Sequence, residues 1–384
     1  MNKRILLISS NSSSRGGGER YLIYLTQGLH QLGHEVHVLL SQKSYMDDWA
    51  NLLILERAIV HRLPLIGLRH RPLRFLQSLI DTKQQQEIAQ FCQKLKPDAI
   101  LVNQQYDEDG LDYLMGAIKS QIAPVGGTIH MPMAADKNQR PLGRLRGNLL
   151  QKWYNNHPYN KIFVSYGCQT EFNNYYQTSG STNVVHYGCP FASILNLSTD
   201  SLESWQDNLP VIGFVGQFAP QKNLSLLVEG WLWLNRQGIK TRLLLVGDGI
   251  ERAVIEQKLL KFASPEIWKI TGWQTNPEKY LSAIDIYAMT SNFEGLPLSL
   301  LEASGSGIPT VVTDFNGAFD VAAQASWVKV VSSRDAANFG KSLLETINNL
   351  PILKQIAKQE QDQFCEYFST KRMAKDTLIA LGVT

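Results

Sequence analysis

The first half of the chain alternates short apolar runs with segments of helical period. Lys3–Ser10 is rich in isoleucine and leucine, the residues from about Glu19 to Leu32 repeat with a helical period, and Glu35–Leu40 is apolar again. A second helical pattern covers Thr82–Leu95. The other strands predicted in this half are Ala99–Val102, Val125–Ile129 and Lys161–Val164. Apolar strands interleaved with helices predict a parallel sheet that is covered by helices on both faces.

The alternation restarts after a polar stretch at Asn196–Asn208. The strands predicted beyond it are Val211–Val215, Arg242–Val246, Ile267–Ile270, Ile286–Met289 and Thr310–Val312. We therefore expect an α/β protein of two Rossmann-like, doubly wound domains, residues 1–200 and 208–364, facing a central cleft. The helical residues at about 365–384 are expected to pack back on the first domain.

Length and composition agree with two folded domains. A chain of 384 residues with 44% hydrophobic and 18% charged residues is too long for one ordinary core. The four cysteines are scattered without metal-ligand spacing, which favours reduced thiols. The apolar run Ile5–Ile8 is too short for a signal peptide, and no later run has the roughly 20 apolar residues of a membrane span. These features predict a cytoplasmic protein.

Charge is uneven along the chain. The formal net charge is +3, which argues against nucleic acid as a partner. Residues 1–200 hold 20 lysines and arginines against 15 acids, and part of that excess is five arginines from Arg57 to Arg74 in a stretch without an acid. Basic residues among leucines can bind an anionic membrane surface, so peripheral contact with the inner face of the cell membrane is one expectation. An ordinary solvated face is the alternative.

Two glutamates of the second half have different settings. Glu294 lies in a predicted loop, whereas Glu302 lies within a predicted helix for which Pro297 suits the first position. Amides at the start of that helix, near Leu296 and Leu298, suit a diphosphate, because backbone N–H groups at a helix N-terminus attract anions. One carboxylate could then address a sugar and the other a ribose.

The segment around these glutamates, SNFEGLPLSLLEASGSGIPTVVTD, resembles the family-4 retaining glycosyltransferases of GT-B fold, whose mark is a pair of glutamates separated by seven residues. The likeness extends over nearly the whole chain. Further similar segments are VGQFAPQKN (Val215–Asn223), LLLVGDG (Leu243–Gly249), ITGW (Ile270–Trp273), SRGGGER (Ser14–Arg20) and TIH (Thr128–His130). The first of these is similar to the family's phosphate-binding loop, the fourth to its glycine-rich loop on the acceptor side, and the last to the segment of its active-site histidine.

The resemblance implies a role for each matching residue. Glu302 would hold the ribose hydroxyls, Glu294 would contact the donor sugar, and Lys222 would neutralise the diphosphate. His130 would approach the sugar from the other domain. The family usually has an arginine five residues before the lysine, where this chain has Gln217, so one cation of the phosphate site is missing.

The resemblance thus defines three groups of candidate residues. The candidate catalytic residues are His130, Glu294 and Lys222. The candidate donor-binding residues are Gly216, Gln217, Lys222, Gly247, Glu294, Gly295, Leu296, Leu298 and Glu302. The candidate acceptor-side loop is Gly16, Gly17, Gly18, Glu19 and Arg20. No cofactor and no metal are expected, because Lys222 and the helix amides are assigned to the diphosphate.

The resemblance therefore implies a retaining hexosyltransferase of polysaccharide biosynthesis, which moves a sugar from a nucleotide-sugar donor to a glycan or lipid-linked acceptor. The negative charge that builds on a leaving diphosphate is stabilised by cations and aligned dipoles. A GT-B-like nucleotide-sugar epimerase or phosphorylase and a noncatalytic sugar-nucleotide-binding protein are the alternatives. A dehydrogenase is disfavoured because the Gly-x-Gly-x-x-Gly fingerprint of dinucleotide binding is missing.

Overall fold

The computed structural model describes residues 2–9, 16–67, 74–133, 142–178, 180–195, 205 and 208–383, with only the backbone at 74 and 75. The chain divides into two compact units. Unit 1 comprises Met1–Gly188 and Phe368–Thr384, and unit 2 comprises Cys189–Tyr367.

Within the described residues, unit 1 contains a sheet of seven parallel strands. The strands are β1 (Arg4–Ser9), β2 (Glu35–Ser41), β3 (Ile59–Leu63), β4 (Ala99–Tyr106), β5 (Val125–Met131), β6 (Asn160–Phe163) and β7 (Thr182–Val184). Their order is β3-β2-β1-β4-β5-β6-β7, and the register pairs Ile5 with Val36 on one side and with Ala99 on the other. The central strands are almost wholly buried, which explains why their sequences are continuous apolar runs rather than alternating ones.

Helices connect and cover these strands. They are α1 (Gly17–Gln31), α2 (Asp47–Leu55), α3 (Arg74–Ile80), α4 (Thr82–Leu95), α5 (Leu111–Ser120), α6 (Gly143–Asn156) and α7 (Tyr166–Tyr175). Helix α4 has the predicted bounds because Asp81 caps it, its carboxylate accepting the Gln84 amide at 3.0 Å. A serine caps α7 in the same way, since the Ser165 hydroxyl accepts the Cys168 amide.

Unit 2 repeats this architecture with six parallel strands in its described residues. The strands are β8 (Val211–Val215), β9 (Arg242–Val246), β10 (Trp268–Ile270), β11 (Ile286–Met289), β12 (Thr310–Thr313) and β13 (Val328–Val331). The helices are α8 (Phe191–Ile194), α9 (Leu224–Arg236), α10 (Arg252–Phe262), α11 (Leu298–Gly305), α12 (Ala318–Ala322), α13 (Ala336–Asn348) and α14 (Leu350–Tyr367). The strand order is β10-β9-β8-β11-β12-β13. The predicted pair of doubly wound α/β domains is confirmed.

Strand order reverses direction once in each sheet. The reversal lies between β1 and β4 in unit 1 and between β8 and β11 in unit 2. Such a point leaves a crevice outside the carboxyl ends of the two strands, because the following loops diverge to opposite faces of the sheet. The segments with the predicted site residues follow these strands or their neighbours.

The last helix of the described chain, α15 (Thr370–Ala380), belongs to unit 1. It packs on α1 so closely that a Cβ atom at Gly28 would lie 2.0 Å from the Thr370 carbonyl oxygen. The helical residues predicted at about 365–384 comprise the end of α14, which belongs to unit 2, and all of α15. The second helix begins after Ser369, whose hydroxyl accepts the Arg372 amide.

The boundary between the units differs from the predicted one near residue 200. The chain passes from unit 1 to unit 2 at Gly188 because α8 packs in unit 2. The ring of Phe191 contacts that of Phe364 and lies where a Cβ at Gly305 would meet it at 2.1 Å. Most of the polar stretch Asn196–Asn208 lies outside the described residues. In the part of the whole chain that the structure describes, no helix is both long enough and apolar enough to cross a membrane.

Candidate active site

Two glycine loops meet at the carboxyl edge of the unit 2 sheet. Gly216 follows β8 and Gly247 follows β9, and a Cβ at Gly247 would lie 1.9 Å from the Gly216 carbonyl oxygen. Gly247 also has φ of +138°, a conformation that other residues rarely adopt. Only glycine lets the two backbones approach this closely at position 247, which explains why this predicted donor-binding position is a glycine.

Lys222 and Glu294 are bonded to each other. The Lys222 ammonium lies 2.5 Å from Glu294 Oε1, with the two side chains 17% and 8% exposed. Lys222 ends a 3-10 turn after β8, and Glu294 lies in the segment after β11. Further contacts join these segments, since the Asn292 amide donates to the Gln221 carbonyl at 2.8 Å and Gln221 Nε2 donates to the Phe293 carbonyl at 2.9 Å. Two residues that the sequence assigns to the diphosphate and the sugar therefore form one ion pair.

The helix that follows, α11, begins at Leu298. Pro297 is its N-cap with an extended backbone (ψ of 127°), so the prediction of Pro297 as the first helical residue is wrong by one position. The amides of Leu300 and Leu301 donate to the Pro297 carbonyl. Within the described part of the chain, the amides of Leu296 and Leu298 donate to no backbone carbonyl. They are the N–H groups at the positive end of the helix dipole, and they follow Glu294 and Gly295 directly.

Glu302 is buried within α11, four residues and about 6 Å of helical rise after Leu298. Tyr287 of β11 reports on both glutamates. Burial raises the pKa of Tyr287 above its ordinary value, and the negative charges of Glu302 and Glu294 add to that rise. Both carboxylates therefore lie close enough to this buried tyrosine for their charge to affect its pKa.

The Tyr287 hydroxyl also links two parts of the site. It lies 3.3 Å from the Val215 carbonyl at the end of β8 and 3.0 Å from Ser299 Oγ in the first turn of α11. The tyrosine thus holds the start of the helix against the strand that leads to the Lys222 loop. Sequence reasoning missed it, because a tyrosine in an apolar strand gives no signal beyond burial.

Gln217 is exposed at the position where the resemblance expects an arginine. A different cation lies along the same edge of the sheet. Arg252 at the start of α10 pairs with Asp248 at 2.8 Å, and both side chains are 38% exposed. The pKa of Asp248 is lowered, first by the Gly249 amide and then by Arg252. The Asp248 carboxylate therefore stabilises the turn after β9, because it accepts the Gly249 amide and pairs with Arg252.

In unit 1, the glycine-rich loop leads directly into α1. Gly16 is the N-cap and the helix begins at Gly17. Glu19 is buried and Arg20 half-buried in the first turn. A Cβ at Gly18 would lie 2.4 Å from Gln105 Oε1 and 3.2 Å from His130 Cδ2. Gly18 therefore lies against the predicted histidine and has no room for a side chain.

His130 lies within β5 rather than after it, and it is only 2% exposed. Its Nε2 atom is 2.5 Å from Asn103 Oδ1, and its Nδ1 atom is hydrogen-bonded to the Tyr187 hydroxyl. Burial lowers the pKa of His130 to about 3, so the ring is neutral at physiological pH. Asn103 lies on β4, which the sequence pattern ends at Val102, and neither partner of His130 was predicted.

One acidic sequence, Asp107-Glu108-Asp109, bears on the expectation of no metal, because two aspartates at this spacing can ligate a divalent cation. It follows β4, and all three side chains are buried and bonded to protein groups. Asp107 accepts the Tyr176 hydroxyl at 2.6 Å, and Glu108 forms a two-bond ion pair with Arg146. No cluster of three or more metal-ligating side chains occurs among the described residues.

Two family models match consecutive parts of the chain. Residues 15–190 match the model described as Glycosyltransferase Family 4, and residues 209–349 match the model described as Glycosyl transferases group 1. Each match covers most of one predicted domain and includes that domain's candidate residues.

Two curated relatives share sequence with part of the chain. The amylovoran biosynthesis glycosyltransferase AmsD of Erwinia amylovora is 36% identical over 100 residues, which are 26% of this chain and 28% of that protein. The UDP-Gal:alpha-D-GlcNAc-diphosphoundecaprenol alpha-1,3-galactosyltransferase of Escherichia coli is 29% identical over 112 residues, 28% of each chain. Each similarity spans less than a third of the relative's length.

A solved structure shares the fold over the whole length. HepE of Anabaena, in complex with UDP and glucose, matches with a TM-score of 0.77 at 17% identity, over 100% of both chains. The two successive domain models and this shared fold agree with the glutamate pair, the phosphate loop and the glycine-rich loop. The chain therefore belongs to the family-4 glycosyltransferases of GT-B fold.

Proposed function

We propose that the chain transfers a hexose, with retention of anomeric configuration, from a UDP-sugar to a glycan or lipid-linked acceptor. The observation that carries the proposal is the Lys222–Glu294 ion pair directly before the first turn of α11. A nucleotide sugar supplies a diphosphate anion for Lys222 and sugar hydroxyls for Glu294. One ligand can thus replace both halves of the ion pair, which a free sugar or a free phosphate cannot do.

Charge stabilisation at the leaving group is the chemistry that this arrangement favours. As the bond between the sugar and the diphosphate breaks, negative charge grows on the phosphate oxygens. Lys222 and the amides of Leu296 and Leu298 are suited to stabilise that charge. In the retaining mechanism that the family resemblance implies, the leaving phosphate helps to deprotonate the acceptor on the same face of the sugar, so no protein nucleophile is required.

The relatives support the donor and acceptor classes. HepE was solved with UDP and glucose, and the Escherichia coli relative is named for UDP-Gal and a diphosphoundecaprenol acceptor. AmsD is named for amylovoran biosynthesis. We accordingly assign a UDP-hexose as donor to unit 2 and a glycan or a lipid-linked glycan as acceptor to unit 1.

If the acceptor is lipid-linked, the basic, leucine-rich stretch at and after the end of α2 has a function, which is to bind the membrane that holds the acceptor. On α2, Leu52 and Leu55 lie one turn apart and are 43% and 77% exposed, and Arg57 beyond them is exposed too. Arg62 is partly neutralised, because it pairs with Asp47 at 2.8 Å. Arg69 and Arg71 lie outside the described residues, as does the side chain of Arg74.

We expect this region to contact an anionic membrane surface. Changing Arg69, Arg71 and Arg74 together to Gln should weaken cosedimentation with vesicles that contain phosphatidylglycerol, and added salt should weaken binding of the unchanged protein. Neutral phosphatidylcholine vesicles are the control. Equal sedimentation of both proteins with the anionic vesicles at low salt contradicts the membrane contact.

The transferase function is tested in two steps. A thermal-shift panel of UDP-, GDP- and ADP-sugars identifies the donor, because a ligand at about 100 times its Kd adds about 2.7 kcal/mol of stability. The chosen donor is then incubated with lipid-linked and soluble glycan acceptors, and the anomeric configuration of the product is read by proton NMR. Retention supports the proposal and inversion contradicts it. Donor binding without transfer to any acceptor favours a noncatalytic sugar-nucleotide-binding protein.

A further inference from the structure

Asn103 bridges the glycine-rich loop and His130. The side chain is buried on β4, with Nδ2 donating to the Gly18 carbonyl at 3.1 Å and Oδ1 lying 2.5 Å from His130 Nε2. An amide side chain has one donor end and one acceptor end. The carbonyl of Gly18 accepts only, so it fixes which end of Asn103 faces the histidine.

This orientation determines where the histidine proton lies. Because Asn103 turns its oxygen toward the ring, Nε2 must carry the hydrogen. In a neutral imidazole the other nitrogen is then an acceptor. Tyr187 is buried beside it and donates its hydroxyl to Nδ1. The Tyr187 hydroxyl can donate or accept, so it accommodates this tautomer, whereas Asn103 requires it.

The surroundings of the ring are neutral as well as buried. Tyr21 lies edge-on with ring centroids 5.0 Å apart, and the Cys168 thiol points at the His130 carbonyl at 3.6 Å. Tyr187 is the third titratable neighbour, and burial raises the pKa of Tyr21 to about 12. No described charged group contributes to the pKa of His130. Nothing described near the ring therefore favours the imidazolium form.

We propose that Asn103 and Tyr187 hold His130 as the neutral Nε2–H tautomer, with Asn103 as the positioning residue that couples it to the glycine-rich loop. His130 then acts with a fixed hydrogen-bond polarity and is not the proton acceptor of the reaction. The tautomer stands independently of the proposed transferase function, whereas its meaning for catalysis rests on that function.

The tautomer is measured directly by nitrogen-15 NMR of the full chain with labelled histidine. The His130 signals are assigned as those absent from the His130→Gln variant. We expect a protonated Nε2 and an unprotonated Nδ1, without change from pH 5 to pH 8. An Nδ1–H pattern or an imidazolium pattern at pH 7 overturns the proposal, whether or not the protein transfers sugar.

Two variants distinguish the effect of Asn103 on the His130 tautomer from that of Tyr187. Asn103→Ala removes the acceptor at Nε2, so we expect a substantial Nδ1–H population, in which the ring donates to the Tyr187 oxygen. Tyr187→Phe is the matched control, because Asn103 still requires a hydrogen on Nε2 and the tautomer should not change. An unchanged tautomer in a folded Asn103→Ala protein contradicts the coupling. If that variant does not fold, the unaltered protein's spectrum still decides the tautomer.

The catalytic consequence has its own readout. If His130 accepts no proton, kcat profiles of the unaltered protein and of His130→Gln should run parallel between pH 5.5 and pH 8. Their vertical offset then gives the fold-change in kcat that follows the loss of the His130 ring. An ionisation near pH 6 to 7 that disappears in His130→Gln overturns the proposal. If the protein transfers no sugar, the proposed function is wrong, but the NMR spectrum still decides the His130 tautomer.

Discussion

Polar groups lie near the point of strand-order reversal in each sheet, and the two units stabilise them differently. In unit 1, Gly18, Asn103, His130 and Tyr187 form a neutral chain of hydrogen bonds in which each group has a protein partner. In unit 2, the polar groups are charged. Lys222 and Glu294 neutralise each other, next to helix amides that donate to no described backbone carbonyl.

The difference indicates which region has its hydrogen bonds satisfied by protein groups before a ligand binds. A neutral network can be buried completely, because each hydrogen bond offsets the desolvation of its two groups. A partly buried ion pair holds charges that attract another charged partner, and its net stabilisation is small once desolvation is counted. The first region therefore supplies fixed geometry, and the second supplies charges that a ligand can take over.

Lys222→Met tests the charged region with the largest expected effect. Loss of the cation removes stabilisation of the leaving diphosphate and leaves Glu294 unpaired. Donor turnover should fall by about 100-fold or more, on the order of 3 kcal/mol. Initial rates with the UDP-sugar measure this change. Lys240→Met, at an exposed lysine of the same unit, is the control, and equal rates for both variants contradict the role of Lys222.

The two glutamates should respond differently to the same substitution. Glu302→Gln should weaken the charge-assisted hydrogen bonds to the ribose that are assigned to Glu302, so affinity for free UDP should fall by roughly 1.5 to 3 kcal/mol. Glu294→Gln should lower turnover without weakening UDP binding, because its assigned contact is to the sugar and the substitution releases Lys222 from its ion pair. Calorimetry with UDP and initial rates on the intact donor give the two readouts. Equal weakening of UDP binding in both variants contradicts the assignment.

The burial of neutral His130 should make the free energy of unfolding depend on pH. The folded pKa of His130 is about 3 and its unfolded pKa is about 6.5, so below pH 6.5 the unfolded chain takes up a proton that the folded chain does not. This contribution to stability is present above pH 6.5 and is lost as pH falls.

Between pH 6.5 and pH 5, the unaltered protein should therefore lose on the order of 1 to 2 kcal/mol more than His130→Gln does. Urea unfolding of both proteins at the two pH values measures the difference. Equal losses would show that the histidine is not held neutral in the folded state. His157→Gln, at a half-buried histidine of the same unit, is the matched control.

The smallest expected effect is that of chelation. Since the diphosphate is assigned to Lys222 and the α11 amides, EDTA should leave initial rates unchanged. Loss of turnover in EDTA with recovery in Mn²⁺ contradicts this assignment. Asp107→Asn and Asp109→Asn then become the informative variants, because they change the one Asp-x-Asp sequence of the chain.

The apolar pattern predicted the central strands well and missed others for a physical reason. Val211–Val215, Arg242–Val246 and Ile286–Met289 have the predicted bounds, because strands buried on both faces are continuously apolar. The missed strands, β3, β7 and β13, lie at sheet edges and are only partly buried. An edge strand of a few residues with polar positions gives little signal above that of a loop.

The site was predictable where residues are close in sequence. Glu294, Glu302 and Lys222 lie in recognisable segments, although the ion pair between Glu294 and Lys222 joins residues 72 positions apart. Asn103 lies 27 positions from His130, and Tyr187 lies 57 positions from it. Those contacts depend on which strands become neighbours, and single-sequence periodicity does not contain that information.

The return of α15 to unit 1 constrains the order of folding during synthesis. Helix α1 lacks its neighbour until Thr370–Ala380 has left the ribosome, and all of unit 2 is synthesised in between. Unit 2 also waits for a late helix, because α14 ends at Tyr367 and buries Phe364 in the core. The N-terminal unit therefore does not complete its fold before the second unit is made, and the two units complete their cores at nearly the same point of synthesis.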